Sequence, residues 1–185
     1  WGREQMNLAN KITIIRILMI PVFLLFAVIE FPYHMAAAVA VFLAASLTDK
    51  LDGYIARKYN MITDFGKFMD PLADKLLVTA AFLVLIQLGR IEAWIVFIIL
   101  AREFAVTGLR TLAAAQNIII AASSYGKIKT VTQIIAIVIL LMDNYPFSLL
   151  NLPVDAVMTY AALISTVISG IDYFKKNMQV ITRMK

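Results

Sequence analysis

Six apolar stretches, each close to the length needed to cross a bilayer and joined by short connectors, constrain this chain more than any other feature. A membrane-spanning helix needs about 20 mainly apolar residues. Segments 11–29, 33–59, 67–88, 92–115, 127–142 and 154–173 qualify, the fifth only by borrowing polar residues at its start. Short connections between such segments imply antiparallel neighbours in a bundle. The expected fold is all-α: one six-helix membrane domain over 1–185. The first run, after Lys11 and Arg16, also has the form of a secretory signal with Ala36, Ala37 and Ala38 as its cleavage region. The repeated runs downstream favour a retained helix instead. Residues 1–5 are read as an addition ahead of Met6, the expected natural start.

Composition agrees. The chain is 62% hydrophobic and 16% charged, against about half and about a quarter in soluble domains. It has no cysteine, which excludes disulfides, thiolate metal sites and cysteine nucleophiles. A single histidine, His34, argues against a histidine zinc site and reads as an interfacial loop residue. The net charge of +5 reflects membrane orientation in a chain this apolar, and no nucleic-acid partner is expected.

Charge placement sets the topology. With both termini on one side, the opposite connectors are 30–33, 89–92 and 143–154, and of 17 Lys and Arg only Arg90 falls in them. Positive residues favour the cytoplasmic side, so six spans with cytoplasmic N and C termini are expected. Asp49, Asp52, Asp70 and Asp74 then lie at the cytoplasmic ends of helices two and three. Arg102, Glu103 and Arg110 in helix four, and Lys127 and Lys129 at the start of helix five, fall on the same side. Polar groups at membrane depth face a bundle interior or a water-filled cavity. A polar pocket open to the cytosol is the expected result.

Four carboxylates in two close pairs repel one another and lose hydration near lipid, so a strong positive partner must hold them. Asp49 and Asp52 are three apart, and Asp70 and Asp74 four apart. Either spacing keeps a pair on one helix face. Hard oxygen donors in that number suit magnesium, manganese or calcium rather than zinc. Gly53 and Ala56 permit close approach of a ligand or a neighbouring helix. Gly66 sits at the turn into helix three, where free N–H groups can face an anion. Arg57 can pair with a carboxylate or a phosphate. Plainer readings exist for single residues: Asp70 before Pro71 is a helix-cap pattern, Asp49 can pair with Lys50, and Asp74 with Lys75 or Lys67.

The pattern Asp49-x-x-Asp52-Gly53-x-x-Ala56-Arg57, eight residues, then Gly66-x-x-x-Asp70-x-x-x-Asp74, resembles the signature of the CDP-alcohol phosphatidyltransferases, with every fixed position filled. The resemblance extends over nearly the whole chain and implies a six-helix bundle with the motif on helices two and three. It implies that Asp49, Asp52 and Asp70 are metal ligands, and that Asp74 is both ligand and general base. Gly53, Ala56 and Gly66 would lie along the cytidine nucleotide and Arg57 near its phosphates. The implied cofactor is Mg2+ or Mn2+, as two ions, and the implied assembly is a homodimer. The implied location is the bacterial cytoplasmic (inner) membrane, with the site facing the cytosol.

The acceptor is carried by other segments. Asn10 to Arg16, Arg102 to Arg110, Gly126 to Thr130 and Ser169 to Phe174 resemble the bacterial phosphatidylglycerophosphate-forming branch of that family. The implied substrates are CDP-diacylglycerol and sn-glycerol 3-phosphate. The acceptor's unreactive phosphate needs cations, and Arg102, Arg110, Lys127 and Lys129 supply four. The bland reading of these four is anchoring at the lipid headgroups. Glu103 either orients an arginine or forms a plain ion pair. Lys175, Lys176, Arg183 and Lys185 read as an anionic-lipid contact. Two competitors keep the motif with another acceptor: inositol phosphate, or phosphatidylglycerol as in a cardiolipin synthase. A divalent-cation transporter also fits intramembrane carboxylates. Such sites, however, lie near the midplane between repeats, and no repeat is visible here.

Overall fold

Proline, glycine and asparagine divide the chain where the apolar runs stop. The computed structural model describes residues 8–58, 64–116, 118, 120 and 123–179; the side chains of 8–10, 49–58, 64–68, 70, 71 and 115 also lie outside the described set. Six α-helices and no strand occur among the described residues: α1 (Leu8–Val28), α2 (His34–Lys58), α3 (Asp64–Gln87), α4 (Ala93–Ala115), α5 (Ser124–Leu141) and α6 (Val154–Lys176). A 3-10 turn, Phe147–Leu150, lies between the last two. Each expected segment is a helix, with ends shifted by a few residues.

The stops have local causes. Pro32 cannot continue α1, and Tyr33 turns the chain with φ 66°. Gly89 takes φ 68° just past α3, the left-handed conformation that commonly ends helices. Asp143 and Asn144 do the same after α5, where short polar side chains tolerate it best. His34 is not a loop residue. It opens α2, and its Nδ1 donates to the Phe26 carbonyl at 3.1 Å, fastening the α1–α2 corner.

Two compact units result, Trp1–Gln87 and Leu88–Lys185. In the first, α1, α2 and α3 all pack on one another. Phe23 and Phe42 meet with ring centroids 6.0 Å apart. Ala38, Ala45, Ala73, Leu77, Ala81 and Leu85 are buried with them. Small residues at these positions let helices approach closely where lipid offers no hydrophobic drive. Thr13 and Arg16 are buried polar residues of α1.

In the second unit α6 contacts both α4 and α5. Residues 123, 132 and 133 of α5 and the residue before it pair with 172, 165 and 166 of α6, an antiparallel register. Residues 102 and 110 of α4 pair with 169 and 173, a parallel one. Arg90 donates to the Leu140 and Leu141 carbonyls at 2.9 and 2.7 Å, satisfying orphan acceptors at the end of α5.

Among the described residues three helices are long and apolar enough to cross a membrane: α1 over Lys11–Val28, α5 over Ser124–Leu141 and α6 over Val154–Lys176. The apolar part of α2, His34–Thr48, is shorter. The charges of α3 and α4 fall inside their helices, at Asp70, Asp74, Arg102, Glu103 and Arg110.

Candidate active site

The aspartate motif sits on backbone that the fold defines. Asp49, Asp52, Gly53, Ala56 and Arg57 fall in the last turns of α2. Gly66, Asp70 and Asp74 fall in the first half of α3. The residues between, 59–63, lie outside the described set, as do the side chains of all the motif residues except Asp74. Both segments belong to the α2–α3 corner of the first unit.

Two expectations change here. Asp70 and Pro71 are inside α3, which begins at Asp64, so this Asp-Pro pair is not a helix cap. Gly66 is the third residue of that helix rather than part of a turn. Its N–H is among those that a first turn leaves without an intrahelical partner. Asp74 is exposed, next to buried Ala73 and one turn from buried Leu77. It thus borders the packed face of α3 instead of being sealed in it. Among the described residues no three acidic, histidine or cysteine side chains converge. The donor set is nonetheless all carboxylate, and its chemistry fits a hard divalent cation.

The second unit holds the cations. On an α-helix, residues two apart point about 200° from one another. Lys127 and Lys129 accordingly part company: Lys127 is exposed, while Lys129 is buried on the α5 face that carries Gln133, Ala136 and Leu140. Lys129 Nζ is paired with Glu103 Oε1. The same oxygen accepts from Arg102 Nη1 at 3.2 Å. Arg102 Nη2 donates to Ser169 Oγ at 2.6 Å. The side chains of Lys129, Arg102 and Glu103 are 8%, 12% and 17% exposed, so this is an interior ion network. Gly170 leaves room for it: a Cβ there would stand 3.0 Å from Arg102 Cγ.

Arg110 is exposed, yet its Nε donates to Tyr173 Oη at 2.9 Å and its guanidinium lies 5.4 Å from that ring's centroid. Directly before Tyr173, Asp172 accepts from Ser123 Oγ at 2.9 Å and pairs with Lys176 at 2.8 Å.

The sequence reading gave Ser169, Asp172, Tyr173 and Ser123 no role. A signal was present. Thr159, Thr166, Ser169 and Tyr173 recur at helical spacing along one face of an otherwise apolar segment. In a membrane helix such a stripe marks the face turned to protein.

The family model for CDP-alcohol phosphatidyltransferase matches residues 6–168. The chain belongs to that family. This CDP-alcohol phosphatidyltransferase family member is 46% identical to the CDP-diacylglycerol–glycerol-3-phosphate 3-phosphatidyltransferase of Bacillus subtilis, over 95% of this chain and 97% of the relative. It is 42% identical to a probable phosphatidylglycerophosphate synthase of Mycobacterium tuberculosis, over 96% and 85%. Rice cardiolipin synthase (CMP-forming) is 37% identical over 76% of this chain and 47% of its own length.

Proposed function

We propose that this protein transfers the phosphatidyl group of CDP-diacylglycerol to sn-glycerol 3-phosphate, giving phosphatidylglycerophosphate and CMP. The observation that carries the reading is the 46% identity, over nearly both whole chains, to a bacterial enzyme named for that reaction. An unbroken aspartate motif and a cation cluster suited to a phosphate-bearing acceptor support it.

In this reading Asp49, Asp52, Asp70 and Asp74 would hold Mg2+ or Mn2+, as two ions. A metal held there would supply charge neutralisation for the lipid's diphosphate and for the departing CMP. Asp74 takes the proton from the primary hydroxyl of glycerol 3-phosphate. The freed oxygen attacks the phosphorus next to the diacylglycerol, and the bond from that phosphorus to CMP breaks. Gly53, Ala56 and Gly66 line the nucleotide, and Arg57 meets its phosphates. Arg102, Arg110, Lys127 and Lys129 build the acceptor-phosphate site. The chain works as a homodimer of six-span protomers in the bacterial cytoplasmic membrane, with termini and active site facing the cytosol.

The test is CMP release by protein in lipid–detergent micelles, with CDP-diacylglycerol and a panel of radiolabelled acceptors. Turnover should need both glycerol 3-phosphate and Mg2+ or Mn2+, and should stop with chelator. Asp74→Asn should lower turnover by about 100- to 10,000-fold, the usual worth of a general base. Undiminished release in that variant sinks the base assignment. The rice relative favours phosphatidylglycerol as the second candidate acceptor. Labelled cardiolipin as the main product would establish it.

A further inference from the structure

Four cations near one helix end invite the assumption that all four grip the acceptor's phosphate. Their hydrogen bonds separate them. A guanidinium binds phosphate well only through a pair of adjacent N–H groups. On Arg102, Nη1 is committed to Glu103 and Nη2 to Ser169. Its Nε is buried without a hydrogen-bond partner, and Gly170 presses against its stem. With its side chain only 12% exposed and a bond at each Nη, this guanidinium is held inside the protein rather than offered to a ligand. Lys129 is as deeply buried, with its ammonium on the same carboxylate oxygen.

Arg110 differs at each point. It is exposed, and among the described residues only its Nε is engaged, by Tyr173. Tyr173 is 2% exposed, so its hydroxyl is a fixed acceptor and its ring a fixed floor for the guanidinium. That single bond leaves the paired Nη groups of exposed Arg110 to present an edge that fits two phosphate oxygens. Lys127 is the other cation of the four with its head in the open.

We propose that Glu103 divides this cluster: with Ser169 it locks Arg102 and Lys129 into a supporting framework, while Arg110, aimed by Tyr173, and Lys127 contact the acceptor's phosphate. Glu103 and Tyr173 are therefore positioning residues. The inference rests on the reading that the acceptor carries a phosphate monoester.

The experiment measures binding apart from turnover. Full-length protein in detergent micelles, with chelator present to remove divalent ions, is melted in rising inorganic phosphate or sn-glycerol 3-phosphate. Glycerol and sodium chloride at matched ionic strength are the controls. Phosphate and glycerol 3-phosphate should give a saturable rise in melting temperature that the controls lack. Arg110→Lys, which keeps the charge and loses the fork, should weaken the apparent affinity by about tenfold or more. Tyr173→Phe should weaken it by about three- to tenfold, one hydrogen bond's worth. In CMP-release kinetics Tyr173→Phe should raise the KM for glycerol 3-phosphate by the same factor, with little change in kcat or in the KM for CDP-diacylglycerol. Glu103→Gln should lower the ligand-free melting temperature, and Glu103→Asp should recover part of the loss. The proposal is overturned by a wild-type protein with no phosphate-dependent rise. It is overturned too by unaltered affinity in both Arg110→Lys and Tyr173→Phe, or by Arg102→Lys weakening phosphate as much as Arg110→Lys does. The expected variant pattern in a protein that makes no CMP from glycerol 3-phosphate would uphold this division and refute the functional reading.

Discussion

Two helix-interior glycines should respond to the same substitution with opposite sign. Gly108 lies within α4, and a Cβ there meets nothing within 4 Å. Gly170 lies within α6, and a Cβ there comes to 3.0 Å from Arg102 Cγ. Glycine in a helix interior costs about 1 kcal/mol relative to alanine, so Gly108→Ala should stabilise by up to that amount. Gly170→Ala gains the same term and must push the Arg102 stem outward by a few tenths of an ångström. The head of that arginine is tethered by the 2.6 Å bond to Ser169 and by Glu103. A hydrogen bond from a charged group contributes about 1.5–3 kcal/mol. Losing it outweighs the propensity gain by about 0.5–2 kcal/mol. For a chain of this size, about 2–4 °C of melting temperature corresponds to each kcal/mol. Gly170→Ala should therefore melt about 1–8 °C below the parent, and Gly108→Ala at or slightly above it. Thermal unfolding in detergent micelles, followed by far-ultraviolet circular dichroism, measures both. The decisive control is Gly170→Ala combined with Arg102→Ala, in which the added methyl has no stem to displace and the penalty should vanish. A Gly170→Ala protein as stable as Gly108→Ala would refute the reasoning, because Arg102 would then have slack that its geometry denies.

Two further outcomes follow from the helix ends and the charge distribution. Arg90→Ala removes two hydrogen bonds and a cation from the C-terminus of α5, and should cost about 1–3 kcal/mol in the same unfolding assay; no change would mean that the Leu140 and Leu141 carbonyls find other donors. Fusing a reporter that works only in the cytosol to either terminus should give full signal at both ends; signal at one end alone would exclude an even number of spans.

Much of the helical layout was legible because its punctuation is local. Pro32 and Gly89 lie just past the ends of α1 and α3, and Pro153 stands immediately before the start of α6. The starts were harder to read. α3 begins at Asp64 and α5 at Ser124, each three residues before the apolar run suggested. Polar first turns belong to the helix but not to the hydropathy pattern. Ser123 occupies a cap position, yet its hydroxyl is given to Asp172, a partner 49 residues away that no local rule supplies. The aspartate motif was legible because its spacing is itself the signal. The division between Lys127 and Lys129 follows from helix periodicity alone and needed only the question of which face was buried. What no spacing rule supplied is the choice of partners for Arg102 and Arg110, since Ser169 and Tyr173 are 67 and 63 residues away.

Those two pairings carry a consequence for charge. Residues eight apart on α4 are about 12 Å apart along the helix axis, while residues four apart on α6 are about 6 Å apart. Arg102 reaches Ser169 and Arg110 reaches Tyr173. The α6 backbone positions that receive the two guanidinium heads are thus spaced more closely than the α4 positions that supply them. Drawing like charges together in a partly buried site is unfavourable unless an anion compensates. Glu103 supplies one negative charge, and Lys129 is also drawn to it. Among the described residues Arg102 and Arg110 are thus matched by one carboxylate, Glu103, leaving a local excess. Neutral hydroxyls hold the arginines on α6, and hydroxyls cannot discharge that excess. A fold built only for stability would place a second carboxylate at position 169 or 173. Serine and tyrosine there hold the two arginines through neutral groups, and under the proposed reading their charge is met by the acceptor. A phosphate monoester, with up to two negative charges and oxygens that match a guanidinium edge, meets that requirement.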